Sequence, residues 1–133
     1  MTKQEISAGR PQRALIVEDS MIIAMEAEDC LRELGVADVE VAGSVERAIA
    51  AIDGAQPGAD FGLAILDYNL GEETADAVAD RLAERRIPFA VATGYGDMDS
   101  HFARMGAVSV LTKPYSKNDL AGLLDTVASA KAA

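Results

Sequence analysis

A chain of 133 residues, 50% hydrophobic and 26% charged, has the size and composition of one soluble globular domain. Its net charge of −10 excludes a surface built to bind nucleic acid, since phosphate contacts need clustered Lys and Arg and Arg85-Arg86 is the only adjacent basic pair. No apolar run approaches the roughly 20 residues a membrane span needs, and the polar opening lacks a signal-peptide core, so a cytoplasmic protein is expected. The single cysteine, Cys30, can form no internal disulfide and reads as a buried thiol.

Met1 to Gln12 is expected to be a flexible tail ending near Pro11, with the folded domain over residues 13–129 and a short tail over 130–133. Ala14-Leu15-Ile16-Val17 reads as a buried strand that ends in Glu18-Asp19. Ser20 then caps a helix in which Ile22, Ile23, Glu26, Ala27, Cys30, Leu31 and Leu34 keep helical spacing on one apolar side, closed by Gly35. Val39 to Ala42 is a second strand, and Ser44 caps a helix to about Ile52, with Val45, Ala48, Ile49 and Ile52 on one face. A loop containing Gly54, Pro57 and Gly58 leads to a third strand, Leu63 to Leu66, which runs into Asp67.

A third helix is expected from about Thr74 to Arg86, with Glu72-Glu73 as solvated loop before it. Phe89 to Ala92 forms a fourth strand ending in Thr93-Gly94-Tyr95-Gly96, and a short helix spans about Asp97 to Met105. In that helix His101 reads as a surface residue and Phe102 as a packing or partner-facing group; Tyr115 is read in the same way as Phe102. Val108 to Leu111 is the fifth strand and ends in Thr112-Lys113-Pro114, and Ser116 with Asp119 makes a capping box opening a last helix to about Ala128. Five apolar strands alternating with five helices predict a doubly wound α/β fold, with a parallel sheet covered on both faces. At this size the common strand order is 2-1-3-4-5, as in flavodoxin-like folds.

In that order Glu18, Asp19, Asp67, Thr93 and Lys113 converge at the carboxyl edge of the sheet, where open α/β sheets bind ligands. Two carboxylates about 4 Å apart repel by roughly 4 kcal/mol at an effective dielectric near 20, so three acids need more counter-charge than one Lys provides. Oxygen-only donors select magnesium, with manganese possible, over zinc. Asp19 and Asp67 suit direct ligation, with Glu18 acting through water. A metal-bound carboxylate beside Lys113 and Thr93 is a phosphoryl acceptor arrangement, in which Asp67 attacks in line and Thr93 donates its hydroxyl to a phosphoryl oxygen. Gly94 and Gly96 would let the backbone come close to that group.

Leu15-Ile-Val-Glu-Asp-Ser20, Leu66-Asp67, Ala92-Thr93-Gly94 and Leu111-Thr-Lys-Pro114 resemble the motifs of response-regulator receiver domains of two-component signalling, in the same order and on the same elements. The resemblance covers about residues 13–129. It implies that Asp67 takes a phosphoryl group from a histidine kinase or phosphotransfer protein, with Asp19, Asp67 and the Asn69 carbonyl binding magnesium, and that the Lys113-Pro114 bond is cis. It further implies that the chain is not an enzyme beyond its own phosphorylation and dephosphorylation. Receivers usually carry a switch aromatic three residues before the lysine, and here that position is Val110. Pro88 to Gly96 resembles the subfamily nicknamed FAT GUY, with Val91 in place of its usual second Phe, and Tyr95 is the substitute candidate for the switch, paired with Thr93.

Output is expected through contact with a protein target, by way of the fourth helix, fifth strand and fifth helix, in a stand-alone switch. A phosphate sink or relay intermediate is the alternative. A receiver-like module that is never phosphorylated is disfavoured by the intact Asp19, Asp67 and Lys113. A small phosphatase with an Asp nucleophile is disfavoured because Asn69 stands where its second acid would protonate the leaving group.

Overall fold

A computed structural model describes residues 10–56, 59–94 and 99–132. In chain order these form β1 (Arg13–Val17), α1 (Met21–Glu33), β2 (Asp38–Ala42), α2 (Val45–Asp53), β3 (Leu63–Asp67), α3 (Asp76–Glu84), β4 (Phe89–Thr93), α4 (Asp99–Met105), β5 (Ser109–Thr112) and α5 (Lys117–Ala132). A hairpin of two short strands, Asn69–Leu70 and Glu73–Thr74, lies between β3 and α3. The five main strands are parallel in the order β2-β1-β3-β4-β5, as expected.

Why the strands read as unbroken apolar runs is plain from their two buried faces. On β1, Leu15 and Val17 face a cluster with Ala48, Ile52, Val78, Leu82 and Phe102 from α2, α3 and α4. Ala14 and Ile16 face the other side, against Ala24, Ala27, Leu31, Leu120, Leu124 and Val127 from α1 and α5. Side chains alternate across a strand, so both halves of the core are drawn from the same short segments.

Helix starts follow the expected chemistry at three places. Ser20 accepts from the Ile23 N–H at 3.4 Å, and Ser44 from the Arg47 N–H at 3.2 Å. Ser116 and Asp119 form a reciprocal box, with the Ser116 N–H donating to Asp119 Oδ2 at 2.8 Å and the Asp119 N–H to Ser116 Oγ at 3.2 Å. Gly35 closes α1 at φ 101°, a left-handed conformation that suits glycine.

Several expectations need correction. α3 begins at Asp76, not Thr74, because the preceding residues pair in the hairpin and the Ala75 N–H donates to the Tyr68 carbonyl at 2.9 Å. α5 continues to Ala132, past the expected stop near Ala128 and over residues 130–132 of the segment expected to be a tail. α1 buries Ala24, Ala27 and Leu31, while Ile22, assigned to the core from its spacing, is 73% exposed. Cys30 is partly buried and not fully enclosed. Residues 10–12 are not loose: Pro11 is buried, and Arg10 pairs with Asp125 at 2.7 Å and donates to the Leu34 carbonyl. The rest of the expected N-terminal tail lies outside the described residues.

Candidate functional site

The carboxyl edge is assembled by backbone bonds that extend the ladder past each strand. The Glu18 N–H donates to the Ala42 carbonyl at 3.0 Å, the Tyr68 N–H to Ala92 at 3.0 Å, and the Lys113 N–H to Thr93 at 2.9 Å. These fix the ends of β1, β3 and β5 relative to their neighbours, so the side chains of Glu18, Asp67 and Lys113 meet at one place. The Lys113-Pro114 peptide is cis, as the resemblance implied.

Oxygens of Glu18, Asp19 and Asp67 lie within 4.8 Å of one another. Glu18 is 3% exposed and Asp67 8%, whereas Asp19 is open to solvent. Lys113 bridges the two buried acids, with Nζ 3.0 Å from Glu18 Oε1 and 3.3 Å from Asp67 Oδ2. Burial alone would push the Lys113 ammonium toward losing its proton. The hydrogen bond to Glu18 and the charges of Asp67 and Glu18 outweigh that, so its pKa is raised. The other oxygen of Glu18 accepts from the Ser20 N–H at 3.1 Å, so both of its oxygens are occupied.

Thr93 ends β4 and is 2% exposed, beside the strand that carries Asp67. Asn69 is exposed on the hairpin two residues past Asp67. Gly94 is exposed, and a Cβ built on it would meet nothing within 4 Å, so no crowding requires glycine there. Tyr95 and Gly96 lie outside the described residues. The five expected edge residues, Glu18, Asp19, Asp67, Thr93 and Lys113, therefore do stand at the ends of their strands. The three acids are an oxygen-only donor set close enough to share one cation, which fits a hard divalent ion.

Sequence reasoning missed a second constellation next to this one. The Tyr68 hydroxyl donates to Asp76 Oδ2 at 3.1 Å, and the Thr74 hydroxyl donates to the same oxygen at 2.6 Å. His101 Nε2 lies 3.3 Å from Asp76 Oδ1 and 3.3 Å from the Tyr68 hydroxyl. Burial resists ionisation of Asp76, but hydrogen bonds from Thr74, His101 and Tyr68 win and hold its carboxyl below the usual range. His101, expected on the surface, is about half buried by these contacts, and Phe102 is fully buried packing. The available signal was the aromatic directly after a strand-ending Asp.

Beside Lys113 a cavity of about 370 Å³ opens between α1 and the start of α5, with Ile23, Ala27, Cys30, Pro114, Tyr115 and Leu120 on its walls. Met21, Ile22 and Met25 on α1 are exposed near it, 57–73% accessible.

Comparison with known proteins places these observations. The family model for the response regulator receiver domain matches residues 14–125. The transcriptional regulatory protein PdtaR of Mycobacterium tuberculosis is 30% identical over 128 residues, which cover 94% of this chain. The chain spans 60% of the length of that relative. A signal receiver domain from Vibrio parahaemolyticus superposes with a TM-score of 0.76 at 26% identity, covering 92% of this chain and 94% of the other. A CheY-like receiver domain protein from Methanospirillum hungatei gives 0.79 at 22% identity, covering 91% and 96%.

Proposed function

Because the chain belongs to the response regulator receiver domain family, we propose that it is a phosphoacceptor switch whose Asp67 takes a phosphoryl group from a histidine kinase or phosphotransfer protein. The observation that carries this is the ammonium of Lys113 held 3.0 Å from Glu18 and 3.3 Å from Asp67, within a cluster of three acids. In the transfer, an Asp67 oxygen attacks phosphorus and forms an acyl phosphate. The bond from phosphorus to the donor's imidazole nitrogen breaks, and that nitrogen keeps the electron pair. Lys113 balances charge on the phosphoryl oxygens, and the Thr93 hydroxyl donates to one of them.

Asp19, Asp67 and the Asn69 carbonyl are the assigned magnesium ligands. Glu18 acts through water, in keeping with its two oxygens being taken by Ser20 and Lys113. Magnesium, when bound, supplies further neutralisation of phosphoryl charge. The exposed Met21, Ile22 and Met25 follow directly on the acid pair, so a phosphodonor protein reaching Asp67 meets an apolar rim there. We assign the chain to the FAT GUY subfamily on Pro88 to Gly96, and its output to protein contacts by α4, β5 and α5 in the cytoplasm. Phosphorylation adds roughly two negative charges at Asp67.

Phosphotransfer tests this. Label is expected to move from phosphorylated histidine kinases to the chain in the presence of magnesium and to stop on chelation. Failure to accept label from such donors and from acetyl phosphate would remove the reading.

A further inference from the structure

Tyr68 follows Asp67 in the chain, yet its side chain points away from the acid site into a contact between three elements. The residue is 8% exposed, and its ring stands edge-on to Phe102 at 5.0 Å and to His101 at 5.8 Å between centroids. Its hydroxyl bonds Asp76 at the start of α3 and meets His101 Nε2 in α4. His101 reaches Asp76 as well, and its ring is 5.7 Å from Phe102. Three side chains from the end of β3, the start of α3 and the middle of α4 thus form one closed node around the carboxylate of Asp76. The backbone of Tyr68 is pinned equally well, donating to Ala92 and accepting from Ala75.

We propose that Tyr68, through its hydroxyl and ring contacts with Asp76, His101 and Phe102, couples the state of Asp67 to the position of α4. The proposal rests on the reading of Asp67 as phosphoacceptor. Asp67 and Tyr68 share one planar peptide unit, so a change in the Asp67 backbone is transmitted to the base of the Tyr68 side chain. A phosphoryl group supplies a reason for such change: it brings new charge and strong acceptors to a site where Lys113 now contacts Asp67 directly. At the other end of the lever Phe102 is fully buried, and close-packed contacts shift together more readily than they deform. α4 is the element placed to respond. It is seven residues long, the shortest of the five described helices, and a short helix has few backbone bonds to resist local opening. Asp76 gives the node its directionality. Its Oδ2 accepts from Thr74 and Tyr68 while its Oδ1 faces His101, so if α4 carries His101 away the carboxylate keeps the other two bonds and no charge is stranded.

The test is amide hydrogen exchange over residues 99–105 of the full chain, with magnesium alone and with magnesium plus beryllofluoride. Wild type, Tyr68→Phe and His101→Ala are compared, and bound fluoride is read separately by fluorine NMR. Wild type is expected to bind the mimic and change exchange in α4. Each variant is expected to bind it and lose that change; Tyr68→Phe keeps the ring, and His101→Ala serves if it does not fold. A node that merely holds α4 in place would raise exchange in both states and preserve the difference, which overturns the coupling. A wild type that binds the mimic with no change in α4 overturns it too, as do variants that no longer bind the mimic, since the node would then act on the acceptor itself. If wild type gives no bound-fluoride signal, the phosphoacceptor reading falls and the coupling with it, an outcome distinct from all the others.

Discussion

Replacing Lys113 with alanine strands the two buried acids it bridges. On the scale of an effective dielectric near 20, each of its contacts, at 3.0 and 3.3 Å, is worth about 5 kcal/mol before desolvation is subtracted. Each pair of acids, their oxygens within 4.8 Å of one another, repels by at least roughly 3.5 kcal/mol on the same scale. Removing one partner of a buried pair costs about 3–5 kcal/mol net, because the remaining charge is left unpaired. Glu18, 3% exposed, cannot recover much hydration, but the Lys113 side chain is 22% exposed and Asp19 is wet, so the lower end, about 3 kcal/mol, is the expectation. For a domain of this size that lowers the thermal midpoint by roughly 10 °C. The raised pKa of Lys113 means that its contribution is fully present below the ordinary value of 10.5 and fades only as pH rises through the folded value, so neutral pH reads all of it. Circular dichroism melts with and without magnesium provide the assay, and added magnesium should return part of the loss by binding the folded acids. A midpoint within about 1 °C of wild type, or no response to magnesium, would refute the electrostatic account.

Asp19→Asn should act in the opposite sense, raising stability without metal by about 1 kcal/mol because it relieves repulsion in an exposed acid, while reducing the magnesium-induced rise in midpoint. A variant that melts lower than wild type, or gains as much from magnesium, contradicts the assignment. Tyr115 has its phenol pushed up to about 12 by burial and then by the charges of Glu18 and Asp67. A raised folded pKa contributes stability that is present below the ordinary value of 10.0 and lost as pH rises through about 12. The phenolate absorbance of wild type minus Tyr115→Phe should therefore titrate near 12; a difference curve centred near the ordinary value would show that the ring is not held as described.

The sheet and its edge were legible in the sequence because each strand is a short apolar run stopped by a polar residue, and parallel topology brings such stops together. Asp67, Glu18-Asp19 and Lys113 needed no tertiary information beyond the strand order. The failures lie where local pattern and packing part company. Ile22 fits the spacing of an apolar stripe, but the phase of α1 is set by Ala24, Ala27 and Leu31, whose alanines let the helix approach the sheet closely. The helix expected from Thr74 gave way to a hairpin, whose end is held by the bond from the Ala75 N–H to the Tyr68 carbonyl and by the Thr74 hydroxyl donating to the Asp76 carboxylate. The Tyr68–Asp76–His101 node joins residues 33 apart in the chain, and no periodicity encodes such a meeting. Nothing in His101 alone distinguishes it from a solvated helix residue.

Asp67 is the residue on which the proposed phosphoryl transfer turns. Wild type and Asp67→Asn, incubated with a phosphorylated histidine kinase and magnesium, should differ completely: one phosphoryl group on the wild type, mapped by peptide mass to the segment holding Asp67, and none on the variant. Label retained by Asp67→Asn, or mapped to another residue of the wild type, would contradict it.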